Sequence, residues 1–403
     1  MGRYSDQFMQ KCGFGHKNAN SAAMMGKSCG GKSISQGSMP DIGDRPSDRG
    51  SKQIILYDPN MASPPSHRLL EVDALRGLAA MAVVLFHYTT RFTELFKAVE
   101  MPTVSFPLGY YGVNLFFIIS GFVIFMTLEK TIRPMDFVVS RFSRLFPAYW
   151  VAIFLTFSIC HLLGLPGKLV GLGTAFGNML MIHGFFHVAH VDGVYWTLEV
   201  ELLFYCGVFL LYRLRRLNLI HHVLFGLLVL KLTYYLLERQ FGINLPWIIF
   251  RLLILGYIPW FALGISIYLA ISRQDSSGWM QPAQTAVMAL LTLWVCDSLF
   301  VFTLALALAT VVFLAASGRV PMLKTPPLVW LGAISYPLYL LHENIGWAIQ
   351  LQLQAIGIPI DLTIFIALMA NLLLANALVR WVEKPAMLWI RTRYKNRTRP
   401  TEQ

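Results

Sequence analysis

From Leu70 onward, long apolar segments recur along the chain and are separated by short polar stretches that carry most of the charged residues. A helix of about 20 apolar residues is long enough to cross the hydrocarbon core of a bilayer. We predict ten such spans, at residues 73–91, 109–128, 146–164, 194–213, 220–237, 249–271, 283–297, 299–316, 329–352 and 361–382. The pattern therefore predicts an all-α integral membrane protein, a bundle of about ten transmembrane helices.

Two parts of this pattern are irregular. The seventh and eighth predicted spans are short and share a tight turn at residues 296–298, which favours a tilted or partly re-entrant pair. The stretch 169–186 is apolar but rich in glycine, and we predict that it lies at the outer surface.

The first 66 residues differ from the rest of the chain. They are rich in Gly, Ser, Lys, Asp and Met and lack helical periodicity, so we predict a disordered polar tail at residues 1–66. The tail has no apolar core of the kind a signal peptide needs. Because Met61 begins a run that would suit a native N-terminus, we hypothesise that translation starts there. We predict a transmembrane domain at residues 67–391 and a basic cytoplasmic tail at 392–403.

Composition and charge support a membrane protein. Of the 403 residues, 56% are hydrophobic and only 13% are charged, whereas soluble domains are about a quarter charged. A net charge of +12 can indicate a nucleic-acid partner. Here, with the N-terminus inside, sixteen Lys and Arg fall in cytoplasmic segments and four in outer segments. The positive-inside rule thus places both termini in the cytoplasm, and contacts with anionic lipids explain the basic excess without nucleic acid.

Neither the cysteines nor the histidines predict a metal site. The five cysteines include no CxxC pair, so no disulfide framework or zinc site follows from their spacing. His183, His187 and His190 would share one face of a helix, but the glutamate of an HExxH motif is missing. We therefore expect no bound metal and no permanently bound cofactor.

The first predicted span carries the sharpest candidates for chemistry. Arg76 and His87 are eleven residues apart, which is three helical turns plus about 20°, so both project from one face about 16 Å apart. Asp73 lies one turn before Arg76 and can pair with it. A histidine inside a membrane can act as a general base or carry an acyl group. The alternative is a histidine that only hydrogen-bonds a neighbouring helix.

The second predicted span and the loop after it carry further candidates. Asn114 and Gly121 share a helix face with Ser120 adjacent, although helix packing through small residues would explain the same pattern. In the loop, Arg141 and Arg144 lie one turn apart at the cytoplasmic surface. Two such guanidinium groups can clamp phosphates like those of coenzyme A, and membrane anchoring is the alternative role.

Two later spans contain polar stripes. Thr197, Glu201 and Tyr205 recur every four residues in the fourth span, at a depth from which Glu201 can orient His87 or bind acceptor hydroxyls. In the ninth span, polar residues again recur at helical spacing, a proline predicts a kink, and a glutamate lies with the histidine toward the outer half. These residues are Ser335, Pro337, Tyr339, His342 and Glu343.

Together these motifs resemble acyltransferase family 3, membrane proteins that modify surface polysaccharides, lipopolysaccharide O-antigens and some small glycosides. The resemblance covers Leu70 to about Arg391. The matching positions are Asp73, Leu75, Arg76, Gly77, Ala79, Ala80 and His87; Gly112 to Phe122; Arg141, Arg144 and Pro147; Trp196 to Tyr205, with Thr197 where the family has Ser; Ser335, Tyr336, Tyr339 and His342; and Glu383, Lys384 and Pro385.

The resemblance implies ten spans, an essential Arg76 and His87 pair, and an acyl-CoA side marked by Arg141 and Arg144. We expect an O-acyltransferase of the bacterial inner membrane that moves an acyl group, in the first instance acetyl, from cytoplasmic acyl-CoA to a hydroxyl of an exported polysaccharide or glycoside, free or lipid-linked. Glu201 is the third catalytic candidate. The candidates for substrate binding are Asp73, Asn114, Ser120, Trp196, Tyr205, Ser335, Tyr339 and His342.

Two other interpretations fit the polar residues within the spans. A transporter or flippase of a lipid-linked sugar would use the buried Arg, His and Glu to bind substrate or relay protons. The chain shows no evident internal repeat of the kind many transporters have, which counts modestly against this. A structural factor for polysaccharide export would tolerate substitution of Arg76 and His87.

Overall fold

The computed structural model describes residues 69–96, 100–272 and 279–398. Within these ranges the secondary structure is helical and contains no strand. The predicted tail at residues 1–66, the Met61 start and residues 399–403 lie outside the described residues.

Fourteen α-helices form the described part of the chain. They are α1 (Leu70–Leu85), α2 (Phe92–Phe96), α3 (Gly112–Glu129), α4 (Pro134–Leu163), α5 (Leu172–Asn178), α6 (Trp196–Arg213), α7 (Ile220–Phe241), α8 (Trp247–Leu252), α9 (Ile258–Ser272), α10 (Met280–Cys296), α11 (Leu299–Ala316), α12 (Pro326–Ala355), α13 (Ile360–Leu378) and α14 (Lys384–Thr398). Shorter 3₁₀ turns and two π-helical turns, Phe86–Arg91 and Val379–Glu383, join some of them.

Each of the ten predicted spans falls on helical structure. In the described ranges, six helical stretches are long and apolar enough to cross a membrane: Pro107–Glu129, Pro134–Leu163, Gly193–Arg213, Leu217–Phe241, Leu299–Ala316 and Ile360–Thr398. Two shorter helices, Ile258–Ser272 and Met280–Cys296, are also apolar. The prediction of a helical, multi-pass membrane protein is confirmed, while the count of ten and the orientation stay predictions.

Two predicted boundaries are wrong. The sixth span, 249–271, is two helices, α8 and α9, with Ile254 at φ +46° in the turn between them. Pro259 explains the new start, because proline suits the first turn of a helix and lacks the N–H that would continue an earlier one. The third span begins earlier than predicted, at Pro134, so Arg141 and Arg144 lie on α4 and not in a loop.

Glycines bring two pairs of helices into backbone contact. A Cβ at Gly77 on α1 would overlap the backbone of α12 at Gly332, and a Cβ at Gly332 would overlap the backbone of α1. Gly121 on α3 and Gly264 on α9 meet the opposing backbone in the same way. Small residues permit this close approach in membrane helices. The α1–α12 pair and the α3–α9 pair therefore pack with little space for adjustment.

Candidate active site

Two adjoining cavities lie inside the bundle. Arg76, Ser120, Glu201 and Tyr336 line both of them. The first cavity also has Val113, Phe116, Phe117, Thr197, Leu198 and Tyr339 in its wall. The second also has Ile119, Val123, Ile124, Arg141, Arg144, Leu145 and Tyr205. Arg76 thus lines both the cavity that contains the arginine pair of α4 and the cavity that contains Tyr339 of α12.

Glu201 is held by two hydroxyl groups. Its Oε1 accepts short hydrogen bonds from Ser120 Oγ on α3 and from Tyr205 OH one turn along α6. The predicted stripe on α6 therefore faces the cavities. None of the described contacts joins Glu201 to His87, so the prediction that Glu201 orients His87 or binds acceptor hydroxyls stays a prediction.

His87 lies in the π-helical turn that continues α1, and other elements enclose it. Its Nδ1 is 2.9 Å from Val83 O and 3.2 Å from His342 Nε2. Its Nε2 is 3.4 Å from Glu343 Oε2. Trp347 Nε1 donates to the His87 carbonyl at 2.9 Å. Isolated π-helical turns are frequent at functional sites, and a uniform rotation of 100° per residue does not predict this one.

These contacts assign the proton positions on the two imidazole rings. His342 Nδ1 lies 2.8 Å from the Tyr339 carbonyl, which only accepts, so that nitrogen carries the hydrogen. His342 Nε2 is then an acceptor, and His87 Nδ1 donates toward it and toward Val83 O. A neutral imidazole has one N–H. His87 Nε2 is therefore the basic nitrogen, and it faces Glu343.

Glu343 is the carboxylate at His87, and sequence analysis placed it in the outer half without giving it a role. Its other oxygen is 3.8 Å from Lys168 Nζ, and Lys168 lies over the ring of Trp347 at 5.1 Å. A Cβ at Gly193 would overlap the carboxylate of Glu343. Glu343 thus has a positive partner on one side and the basic nitrogen on the other. The sequence signal that could have assigned Glu343 a role was its place beside His342, as a second ionisable residue inside an apolar span.

Tyr339 connects the first cavity with His87. Its side chain forms part of the cavity wall, and its OH lies 2.9 Å from Thr197 Oγ1. Its backbone carbonyl holds His342, which in turn contacts His87. His87 lines neither cavity. The Tyr339 and His342 side chains therefore link the wall of the first cavity to His87.

Comparison with known proteins now identifies the family. An acyltransferase domain matches residues 69–381. The chain belongs to acyltransferase family 3. Exopolysaccharide production protein ExoZ of Rhizobium meliloti (strain 1021) is 28% identical over 319 residues, which cover 73% of this chain and 94% of ExoZ. Protein 2 in the picA locus of Rhizobium radiobacter is 37% identical over 114 residues, 26% of this chain and 54% of that protein. No solved structure matches the chain.

Family membership confirms the resemblance drawn from the motifs. The chain is an enzyme that transfers acyl groups other than aminoacyl groups, and it is a multi-pass membrane protein. The interpretation as a transporter without acyl transfer therefore has no support, and the same holds for the structural export factor. The roles of individual residues in this acyltransferase stay predictions.

Five residues predicted to bind substrate line neither cavity of the acyltransferase: His342, which contacts His87 instead, and Asp73, Asn114, Trp196 and Ser335. Ser335 is buried and donates to Gly332 O of its own helix at 2.8 Å, so its hydroxyl is already used in α12. Trp196 packs edge-to-face against Phe117, which is itself in the wall of the first cavity. By contrast, Ser120, Tyr205 and Tyr339 lie in cavity walls.

The histidine-rich segment of the acyltransferase is not a single helix, so its three histidines do not share the face that their spacing would give on one. His183 starts a 3₁₀ turn and His187 follows it at φ +54°. His183 Nε2 and His190 Nδ1 lie 2.6 Å apart. Burial, then nearby positive charge, lowers the pKa of His183 to about 3 and of His190 to about 4. In the described ranges no three His, Cys, Asp or Glu side chains are arranged to hold a metal ion.

Proposed function

We propose that this acyltransferase moves an acyl group, acetyl in the first instance, from cytoplasmic acyl-CoA to a hydroxyl of an exported polysaccharide or its lipid-linked precursor. We further propose ten spans, both termini in the cytoplasm and a bacterial inner membrane. ExoZ, similar over nearly its whole length, is named for exopolysaccharide production, which supports a polysaccharide acceptor.

The observation that carries the proposal is the continuity of the two cavities through Arg76. Arg141 and Arg144 line the second cavity, Tyr339 lines the first, and Arg76 lines both. Arginine matches phosphate geometry with paired N–H donors. The proposal is that the phosphates of acyl-CoA bind at the arginine pair while the thioester extends past Arg76 toward Tyr339 and His87.

The chemistry follows from the proton positions at His87. Nε2 takes the proton of the acceptor hydroxyl as its oxygen attacks the thioester carbonyl. The new C–O bond forms, the C–S bond breaks, and the imidazolium returns its proton to the leaving thiolate. Glu343, 3.4 Å from Nε2, stabilises the imidazolium between these steps. General-base catalysis of this kind contributes about 10²- to 10⁴-fold in rate.

Transfer of the radiolabelled acetyl group from acetyl-CoA to endogenous glycans in membranes tests the proposal. We compare wild type with His87→Ala and with His161→Ala, since His161 is exposed and hydrogen-bonds only the Phe157 carbonyl of its own helix among the described contacts. We expect label in wild type and His161→Ala but not in His87→Ala. Full transfer by a folded His87→Ala protein would overturn the role of His87, and no label in wild type would overturn acetyl-CoA as donor.

A further inference from the structure

A third arginine joins the pair on α4. Arg391 on α14 donates from Nε to Ser143 Oγ at 3.1 Å, and from a terminal nitrogen to Ser140 O at 3.3 Å and Ser140 Oγ at 3.4 Å. A terminal nitrogen of Arg141 also lies 3.4 Å from Ser140 Oγ. One serine hydroxyl therefore contacts two guanidinium groups.

Carboxylates compensate this convergence of like charges without forming an ion pair: Glu201 acts on Arg141, and Glu383 acts on Arg144. The charge of Arg144 acts on both Arg141 and Arg391. Of the carboxylates in the described ranges, none forms an ion pair with any of the three arginines. Arg141 Nε is buried and has no hydrogen-bond partner. Positive groups held together in this way repel one another unless an anion binds.

We infer that Arg391 is the third guanidinium of the acyl-donor site and contacts a phosphate of acyl-CoA together with Arg141 and Arg144. The inference rests on the proposed function. Arg391 lies beyond the acyltransferase domain match at residues 69–381.

The charge of the donor supports a third arginine. Coenzyme A carries a diphosphate and a separate phosphomonoester, about four negative charges at neutral pH. Two arginines one turn apart on α4 match one of these groups, and a guanidinium delivered by another helix can reach the other. The same phosphate chemistry is present in lipid headgroups, so the test has to separate the two sources.

Binding and transfer with shortened donors make this separation. The full chain in detergent is titrated with CoA and with pantetheine, which has no phosphate, for wild type, Arg391→Gln and Arg391→Lys. Arg393→Gln is the matched control, because Arg393 is exposed on the same helix and lies over the Trp389 ring at 5.5 Å. Transfer is then measured in membranes with acetyl-CoA, acetyl-dephospho-CoA and S-acetylpantetheine.

For Arg391→Gln we expect CoA binding weaker by about 10- to 100-fold, the range of a charge-assisted hydrogen bond. The KM for acetyl-CoA should rise with it, while pantetheine binding and kcat stay near wild type. Arg391→Lys should lose less CoA affinity than Arg391→Gln, because lysine keeps the positive charge but lacks the paired N–H donors of arginine. If removal of the 3′-phosphate from the donor also removes the effect of Arg391→Gln, Arg391 contacts that phosphate. If the effect remains, it contacts the diphosphate.

Three results would overturn the inference. Unchanged CoA affinity in Arg391→Gln would assign Arg391 to lipid headgroups or packing. Equal losses with CoA and pantetheine would indicate a structural role. If Arg391→Gln does not fold, Arg391→Lys replaces it in the test, and a wild-type CoA affinity in Arg391→Lys would overturn the inference. The proposed function fails separately: CoA binding that depends on Arg391 without any acetyl transfer would refute the reaction and keep the phosphate site.

Discussion

Replacing Glu343 with glutamine removes the negative charge beside His87 and keeps the size of the side chain. Glu343 Oε2 is 3.4 Å from His87 Nε2, and this nitrogen becomes positively charged only when it has taken the acceptor proton. The lost interaction should therefore affect the chemical step more than substrate binding. We expect kcat to fall and the KM for acetyl-CoA to change little, because the proposed phosphate contacts lie elsewhere.

The size of the effect follows from the distance. Two unit charges at this separation interact by about 5 kcal/mol at an effective dielectric constant of about 20. Lys168 Nζ, 3.8 Å from the other oxygen of Glu343, already offsets part of the carboxylate charge. We therefore take this figure as an upper limit and expect kcat to fall by about 10²- to 10³-fold.

The assay is acetyl transfer from labelled acetyl-CoA at several donor concentrations, with protein amounts matched by immunoblot. Glu71→Gln is the control, because Glu71 is also a buried carboxylate in an ion pair, with Lys324 Nζ at 2.8 Å, and it is on the first turn of α1. This control should keep near-wild-type kcat. A folded Glu343→Gln enzyme within about twofold of wild-type kcat would refute the role of the carboxylate.

Three further predictions concern the surroundings of the site. Gly193→Ala should lower kcat at least about tenfold, because the new Cβ would overlap the carboxylate of Glu343 and displace it. Gly171→Ala, whose Cβ would meet no atom, should keep kcat, and equal activities of the two variants would contradict the prediction. The pKa values of the histidine pair in the 183–190 segment lie below the value of about 6.5 in the unfolded chain. Below that pH the unfolded chain therefore binds more protons than the folded one, so the free energy of unfolding should decrease as pH falls from about 6.5 toward about 4. His190→Gln should weaken this dependence of the melting temperature in detergent, and an unchanged slope would disprove it. Gly77→Ala should destabilise the protein by about 1–3 kcal/mol through overpacking, while Gly226→Ala, which meets no neighbour, should not lower the melting temperature; matching melting curves would refute the close contact.

The amino-acid pattern located the helical segments, apart from the break in the sixth span and the start of the third, and several residues of the cavity walls. Apolar length placed each predicted span on helical structure. Arg76, Ser120, Tyr205 and Tyr339, which were chosen as site residues, line the cavities, and their roles toward substrate stay predictions. Each of these residues was found through spacing within a single helix. Such spacing is a local property, which explains why it can be read before the helices are packed together.

The parts that sequence analysis missed depend on contacts between helices. Glu201 and Glu343 are both carboxylates in apolar spans, and only the packing of α12 against α1 decides which of them meets His87. Sequence analysis counted Arg391 only among the cytoplasmic positive charges, and its contact with Ser143 depends on the packing of α14 along α4. The break within 249–271 was missed because hydropathy averages across a short turn.

The glycine contacts of α1 with α12 and of α3 with α9 have a consequence for how relatives of this chain diverge. Gly77 and Gly332 each face the backbone of the other helix, and so do Gly121 and Gly264. A larger residue at one position would have to be matched by a shift of the whole partner helix, which carries reacting or cavity-lining groups. In an alignment of many homologues, these four positions should stay small or change in pairs, and they should drift more slowly than the lipid-facing residues beside them.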